Sequence, residues 1–199
     1  MLTTAIQKIL PASIGRSLLF LVFTVILLLP RHSQAAMDEG RVRAAVIFHI
    51  ISLTQWPQAN GGPVPSSSII VLGQDASGIA EILNNKIKET TATNRTLRRV
   101  TSLASPGGIT TFRSLLADCQ ILYLTKEGMQ YLPQLEPLID KRPILTIGEV
   151  EEFCEKGPGM ICLTIESQKL AIRINHQLTS DLGFHFSAEL LRHAVLVNK

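Results

Sequence analysis

The sequence predicts an α/β fold: a single three-layer α/β/α domain with a mixed, largely parallel sheet, preceded by a signal peptide. Three strands, at 68–72, 96–103 and 121–124, alternate with helical stretches, the order that gives parallel strands covered on both faces. Two more, at 160–165 and 170–174, are separated only by the polar turn 166–169, so they pair as an antiparallel hairpin and make the sheet mixed. The third observation is the leader. Lys8 and Arg16 precede an apolar run at 18–29, broken only by Thr24, and Ser33-Gln34-Ala35 sets small residues at the −3 and −1 positions of a cleavage site.

That apolar run is shorter than the roughly 18 residues a membrane-spanning helix needs, so it reads as a removable signal rather than a retained anchor. The expected division is therefore 1–35, signal peptide, and 36–199, one exported domain large enough for its own core. The formal charge of +3 includes Lys8, Arg16 and Arg31 of the leader, which leaves the exported part close to neutral. Nucleic-acid binding, which needs a concentrated basic face, is not expected. Arg95, Arg98 and Arg99 read as the solvated edge of a strand.

Taken in order, 39–53 is a helix whose apolar residues, among them Val42, Ala45, Val46 and Phe48, are too many for one narrow stripe, so cover on more than one side is expected. Pro57 ends it and pushes Trp56 toward extended geometry, where the ring plugs the core beneath a loop at 59–67. A glycine turn at 73–78 then joins the first strand to a helix at 79–87. Such a turn can hold an anion on helix amides, yet neither G-x-G-x-x-G nor G-K-[ST] is present, and Asp75 explains it as a helix cap. The more polar strand at 96–103 belongs nearer a sheet edge. Pro106-Gly107-Gly108 precedes a helix at 109–117, and Pro133 and Pro137 kink or break the helix at 126–140. Two closing helices, 176–182 and 187–197, are separated by Gly183 as a C-cap.

The block 143–175 organises the rest. Cys154 and Cys162 flank Gly157-Pro158-Gly159, whose glycines accept positive φ and whose proline presets its own, so the chain folds back and brings the sulfurs together. In an oxidising compartment this predicts a disulfide that stabilises by about 2–3 kcal/mol. Cys119, left over, opens a buried strand and reads as an inert thiol. Catalysis would need a nucleophile with a base, paired acids or a metal cluster. His49, His176, His185 and His193 are scattered, there is no H-E-x-x-H or C-x-x-C, and Glu149, Glu151 and Glu152 read as surface charge around a turn. No enzyme, metal or cofactor is expected.

Phe48 through Trp56-Pro57, the strand 69–72 with Gly73, Cys119-Gln120-Ile121-Leu122-Tyr123, Leu145-Thr146-Ile147-Gly148-Glu149, Gly159-Met160-Ile161, 170–175 and 187–191 occur in the order and spacing of the YfiR family. The chain resembles that family from about Val42 to Val195. The resemblance implies a periplasmic, non-catalytic domain that binds the periplasmic part of an inner-membrane diguanylate cyclase and represses it, lowering cyclic-di-GMP and biofilm formation. It also implies an OmpA-like outer-membrane lipoprotein that sequesters the repressor, and leaves room for a homodimer. The family's second disulfide does not carry over, because 69–72 offers no cysteine to Cys119, and Ser187-Ala188 stands where the family usually has a serine pair.

On this reading the disulfide stiffens the hairpin block into a platform, which saves ordering entropy on binding, and repression is a population shift toward the partner's inactive state. Glu166, Lys169 and Arg173 are the predicted partner-binding residues. The alternative is a periplasmic small-molecule sensor acting with a histidine kinase or receptor.

Overall fold

The computed structural model describes residues 32–57, 67–90 and 97–197. The leader up to residue 31, the loop at 59–66 and Arg95 lie outside the described residues.

Helix α1 (His32–Ser52) is followed by β1 (Thr54–Gln55), β2 (Ser67–Leu72), α2 (Ile79–Thr90) and β3 (Leu97–Leu103). Then come α3 (Ile109–Ala117), β4 (Ile121–Leu124), a 3-10 turn (Glu127–Tyr131), α4 (Leu132–Ile139) and β5 (Leu145–Gly148). The chain closes with α5 (Glu151–Glu155), β6 (Ile161–Glu166), β7 (Lys169–Asn175), α6 (His176–Asp181), β8 (His185–Phe186), α7 (Ala188–Arg192) and β9 (Ala194–Val197).

Seven strands form one sheet in the order β3-β2-β4-β5-β6-β7-β9. β3 through β6 are parallel, β7 turns back antiparallel to β6, and β9 runs parallel to β7. The alternation of strand residues builds two cores. Ile69, Val71, Ile121, Tyr123 and Ile147 face α1, α2 and the C-terminal helices. Ile70, Leu72, Leu122 and Leu124 face α3 and α4 on the other side, with Phe112, Leu116, Leu135 and Phe153 packed there. The mixed three-layer architecture is thus as expected. β3 is an edge strand, and its Arg98 and Arg99 are exposed.

Trp56 fills the first core, 9 % exposed and edge-on to Phe184 with centroids 5.6 Å apart. Gly183 takes φ +76 just past α6, as a C-cap glycine does. The β6–β7 hairpin turns on Ser167 and Gln168, both with positive φ, the backbone that a two-residue loop needs to match strand twist.

Four expectations are corrected. α1 begins at His32 rather than at residue 39, and it buries one stripe, Arg43, Ala44, Ile47, Ile50 and Ile51, while Val42 is 51 % exposed. The helix expected at 126–140 breaks at Leu132 and not at either proline: Pro133 lies in the first turn of α4, where its missing N–H is no loss, and Pro137 is accommodated within α4. The cysteine block contains a helix, α5, that the turn reading missed; two acids in its first turn and buried Phe153 and Cys154 account for it. The last predicted helix stops at Arg192, and residues 194–197 pair with β7 instead, because Ala-Val-Leu-Val is a short apolar run whose period does not separate helix from strand.

Candidate functional site

In an open α/β sheet the place to look is outside the carboxyl ends of the strands, where the strand order reverses. Here β3 lies on one side of β2 and β4 on the other, so the reversal falls between β2 and β4. A cleft of about 530 Å³ opens at that end. Gln74 and Asp75 reach it from the loop after β2, Thr125 and Lys126 from the end of β4, Glu149 from the end of β5, and Arg43 from α1. Glycine makes the close approaches that shape it. Gly73 takes φ +108, and a methyl there would come within 2.5 Å of the Gly128 nitrogen.

Glu149 holds the floor together. Its Oε1 accepts the Tyr123 hydroxyl at 2.7 Å and its Oε2 accepts the Lys126 backbone N–H at 2.9 Å. Arg43, 5 % exposed, sends Nη1 to the Leu163 carbonyl at 2.7 Å, and the same nitrogen lies 3.7 Å from Glu149 Oε1. Its Nε donates to Glu39 Oε1 at 3.0 Å. Burial alone would lower the Arg43 pKa, but Tyr123, Glu149 and Glu39 outweigh it and hold the guanidinium above its ordinary value. Burial and the neighbouring Glu149 carboxylate push the Tyr123 phenol well above its usual range, so it stays protonated. The Glu149 expectation is therefore corrected: its side chain is 14 % exposed and ties three elements together. Sequence reasoning passed over Arg43 and Tyr123 too. The available signals were a lone arginine in the apolar stretch of α1 and a phenol, needing a partner, inside a wholly buried strand.

The glycine turn after β2 carries a cap. Asp75 Oδ1 accepts the Ile79 N–H and Oδ2 the Ala80 N–H, both at 2.8 Å, so these N-terminal amides of α2 are already satisfied by a carboxylate of the chain. Among the described residues no three His, Cys, Asp or Glu side chains are grouped to hold a metal ion.

Cys154 and Cys162 form a disulfide, with Cα atoms 6.0 Å apart, joining α5 to β6. Asn175 braces the same helix, donating Nδ2 to the Cys154 carbonyl at 3.0 Å while its Oδ1 caps α6 through the Leu178 N–H. Glu166 and Lys169 face each other at the end of the hairpin. Arg173 lies between two acids, 2.9 Å from Glu151 and 3.0 Å from Glu166. Glu151 also lines the cleft, so this ion network and the cleft share a border. Cys119 is buried, unpaired and remote in role: burial pushes its thiol up to about 12.

The model of the YfiR/HmsC-like family matches residues 40–195, from within α1 to β9. The chain belongs to the YfiR/HmsC-like family. This is a regulatory, non-catalytic and periplasmic family. No curated protein matches the sequence. Among solved structures, the YfiR/HmsC-like chain is similar to a conserved domain protein of Vibrio cholerae O1 biovar El Tor, with TM-score 0.52, 11% identity, and 80% of this chain and 60% of that one covered. It is also similar to an ABC domain from Streptococcus pneumoniae solved in complex with L-Trp, with TM-score 0.50, 10% identity, and 66% and 55% covered. The chain thus spans under two thirds of each of those structures, and at such identities the likeness is one of fold.

Proposed function

We propose that the chain is a periplasmic regulator that binds the periplasmic part of an inner-membrane diguanylate cyclase and holds it in its inactive state, lowering cyclic-di-GMP and biofilm formation. Family membership over residues 40–195 carries this reading. The chemistry supports a binder rather than a catalyst: the Tyr123 phenol is kept neutral, Arg43 is locked in ion pairs, and the Cys119 thiol is buried. The disulfide and Asn175 hold α5 and the hairpin as one preformed surface, and Glu166 and Lys169 at its turn, with Arg173 nearer its base, are the residues we assign to the partner. Regulation then requires only that this surface favour one state of the cyclase over the other. An OmpA-like outer-membrane lipoprotein competing for the regulator would relieve the repression.

Deleting the gene should raise cellular cyclic-di-GMP, and a plasmid copy should restore it; an unchanged level in a strain that normally exports the protein would sink the proposal. A second reading, a small-molecule sensor acting with a histidine kinase or receptor, is favoured by the cleft at the strand reversal, where α/β sheets commonly take ligands. A metabolite that raises the melting temperature of the purified protein, and loses the effect when Lys126 is replaced, would favour it.

A further inference from the structure

We propose that the cleft and its border with the hairpin receive a basic, extended segment of the polypeptide partner; this rests on the regulatory reading above and adds the chemistry of what docks. The charges at this end of the sheet do not balance. Arg43 is shared by Glu39 and Glu149, and Arg173 is shared by Glu151 and Glu166. Each guanidinium answers two carboxylates; Lys169, opposite Glu166, offsets the surplus at the hairpin, but the cleft lining itself still sets Glu39, Asp75, Glu149 and Glu151 against Arg43 and, across the border, Arg173. Glu127 at the mouth of the cleft offsets Lys126 and restores nothing. A concave surface with surplus anionic charge attracts and orients a cation, and it does so most strongly at low ionic strength.

Two further features select a polypeptide over a free amine. Thr125 lines the cleft at 2 % exposure; its hydroxyl oxygen accepts the Gly128 N–H at 3.1 Å, while its own proton meets no acceptor among the described residues. A buried donor in that state is costly, and the backbone carbonyl of an inserted segment would satisfy it. Ile165 lines the same cleft and is 46 % exposed, an apolar contact beside the charges. A free amine supplies a cation alone. An extended segment with an Arg or Lys supplies the cation, a carbonyl and an apolar neighbour together, in the pattern of a buried anchor with a charged rim.

The test is an NMR titration of the exported protein with the capped tripeptide Leu-Arg-Leu, with capped Leu-Glu-Leu, and with propylguanidine as a free, singly charged guanidinium. Saturable shifts of the Thr125, Lys126, Glu151 and Ile165 amides are expected with Leu-Arg-Leu, weakening as salt is added and absent with Leu-Glu-Leu. Glu127→Gln and Glu151→Gln should each weaken binding by about two- to fivefold, as exposed charge pairs do, and Ile165→Lys, which removes the apolar contact and sets a like charge against the segment, should abolish it. Shifts elsewhere on the protein, or equal shifts with Leu-Glu-Leu, would overturn the proposal; propylguanidine binding as tightly as Leu-Arg-Leu would overturn its polypeptide part. The same variants separate this proposal from the function it rests on. If Ile165→Lys still restores low cyclic-di-GMP to the deletion strain, the docking site fails and the regulatory reading stands, whereas no rise on deletion removes the regulatory reading whatever the peptide does.

Discussion

Glu149 has no slack: one oxygen is taken by a phenol, the other by a backbone amide, and a guanidinium sits 3.7 Å away. Removing either side-chain partner should therefore be felt as lost stability. Arg43→Met leaves Glu149 largely buried beside no cation and should cost about 3 kcal/mol in urea unfolding, since breaking a buried pair strands a charge. Arg43→Lys should recover only part of this, because an ammonium cannot serve Glu39 and the Leu163 carbonyl in the planar arrangement the guanidinium uses. Tyr123→Phe should cost about 1.5–3 kcal/mol, the range for a hydrogen bond to a charged group. A Phe variant as stable as the parent would mean that the Tyr123–Glu149 bond contributes nothing. The alkaline limb adds a separate check. The Cys119 thiol, at 9.0 in its ordinary state, is raised by burial to about 12 in the fold, so the folded form keeps a proton that the unfolded chain releases. A raised folded value means stability that is intact below pH 9 and declines as pH rises toward 12, by about 1.4 kcal/mol per pH unit for one proton. Cys119→Ala should flatten that decline over this window; an unchanged slope would show that the thiol is not its source. Tyr123 acts in the same direction from its ordinary value of 10.0 upward, so Cys119→Ala removes only the thiol's share of the decline.

At the scale of elements, the disulfide and helix α5 are one device. The bond closes a short loop, with a sequence separation of 8, and its loss should remove about 2–3 kcal/mol through the entropy of the unfolded chain. Cys154→Ser or Cys162→Ser should lower the melting temperature, whereas Cys119→Ser should do little near neutral pH; equal losses from all three would contradict the pairing. Glycines seat the helix: a methyl at Gly159 would come within 2.5 Å of the Phe153 ring, and one at Gly148 would overlap the same ring. How much was legible follows from the same residues. Strands β2 and β4, helix α3 and the hairpin were readable because their apolar periods and glycine or proline borders agree locally. The disulfide was readable from its own turn. Helix α5 was not, because five residues carry too little period to be distinguished from a turn. No residue lining the cleft was legible from sequence as a docking residue; Glu166 and Arg173, which were, stand beside the cleft in the ion network with Glu151. Its floor depends on Arg43, Tyr123 and Glu149 meeting from α1, β4 and the end of β5, a long-range coincidence that no local pattern encodes.

For the molecule as a whole, the sheet has two unlike edges. One, β3, carries exposed Arg98 and Arg99 and a register shift against β2 at Ser67 and Ser68, both of which discourage further pairing. The other, β9, is four residues without charge, with Val195 and Leu196 half exposed, and it covers the flank of β7. β7 matters to function on the reading above because it bears Lys169 and Arg173 and, at its end, the Asn175 brace to α5. The outer strand that sequence reasoning took for helix thus shields the hairpin to which we assign docking. Ending the chain at Arg192 should therefore do two things. It should lower the melting temperature, because β7 loses the ladder from Ile172 to Asn175, and it should make the protein self-associate in size-exclusion chromatography, because a bare β7 edge offers its N–H and C=O groups to another chain. If the truncated protein instead melts with the parent and elutes at the same volume, β9 is peripheral, and the stiffness of the hairpin must come from the disulfide and Asn175 alone.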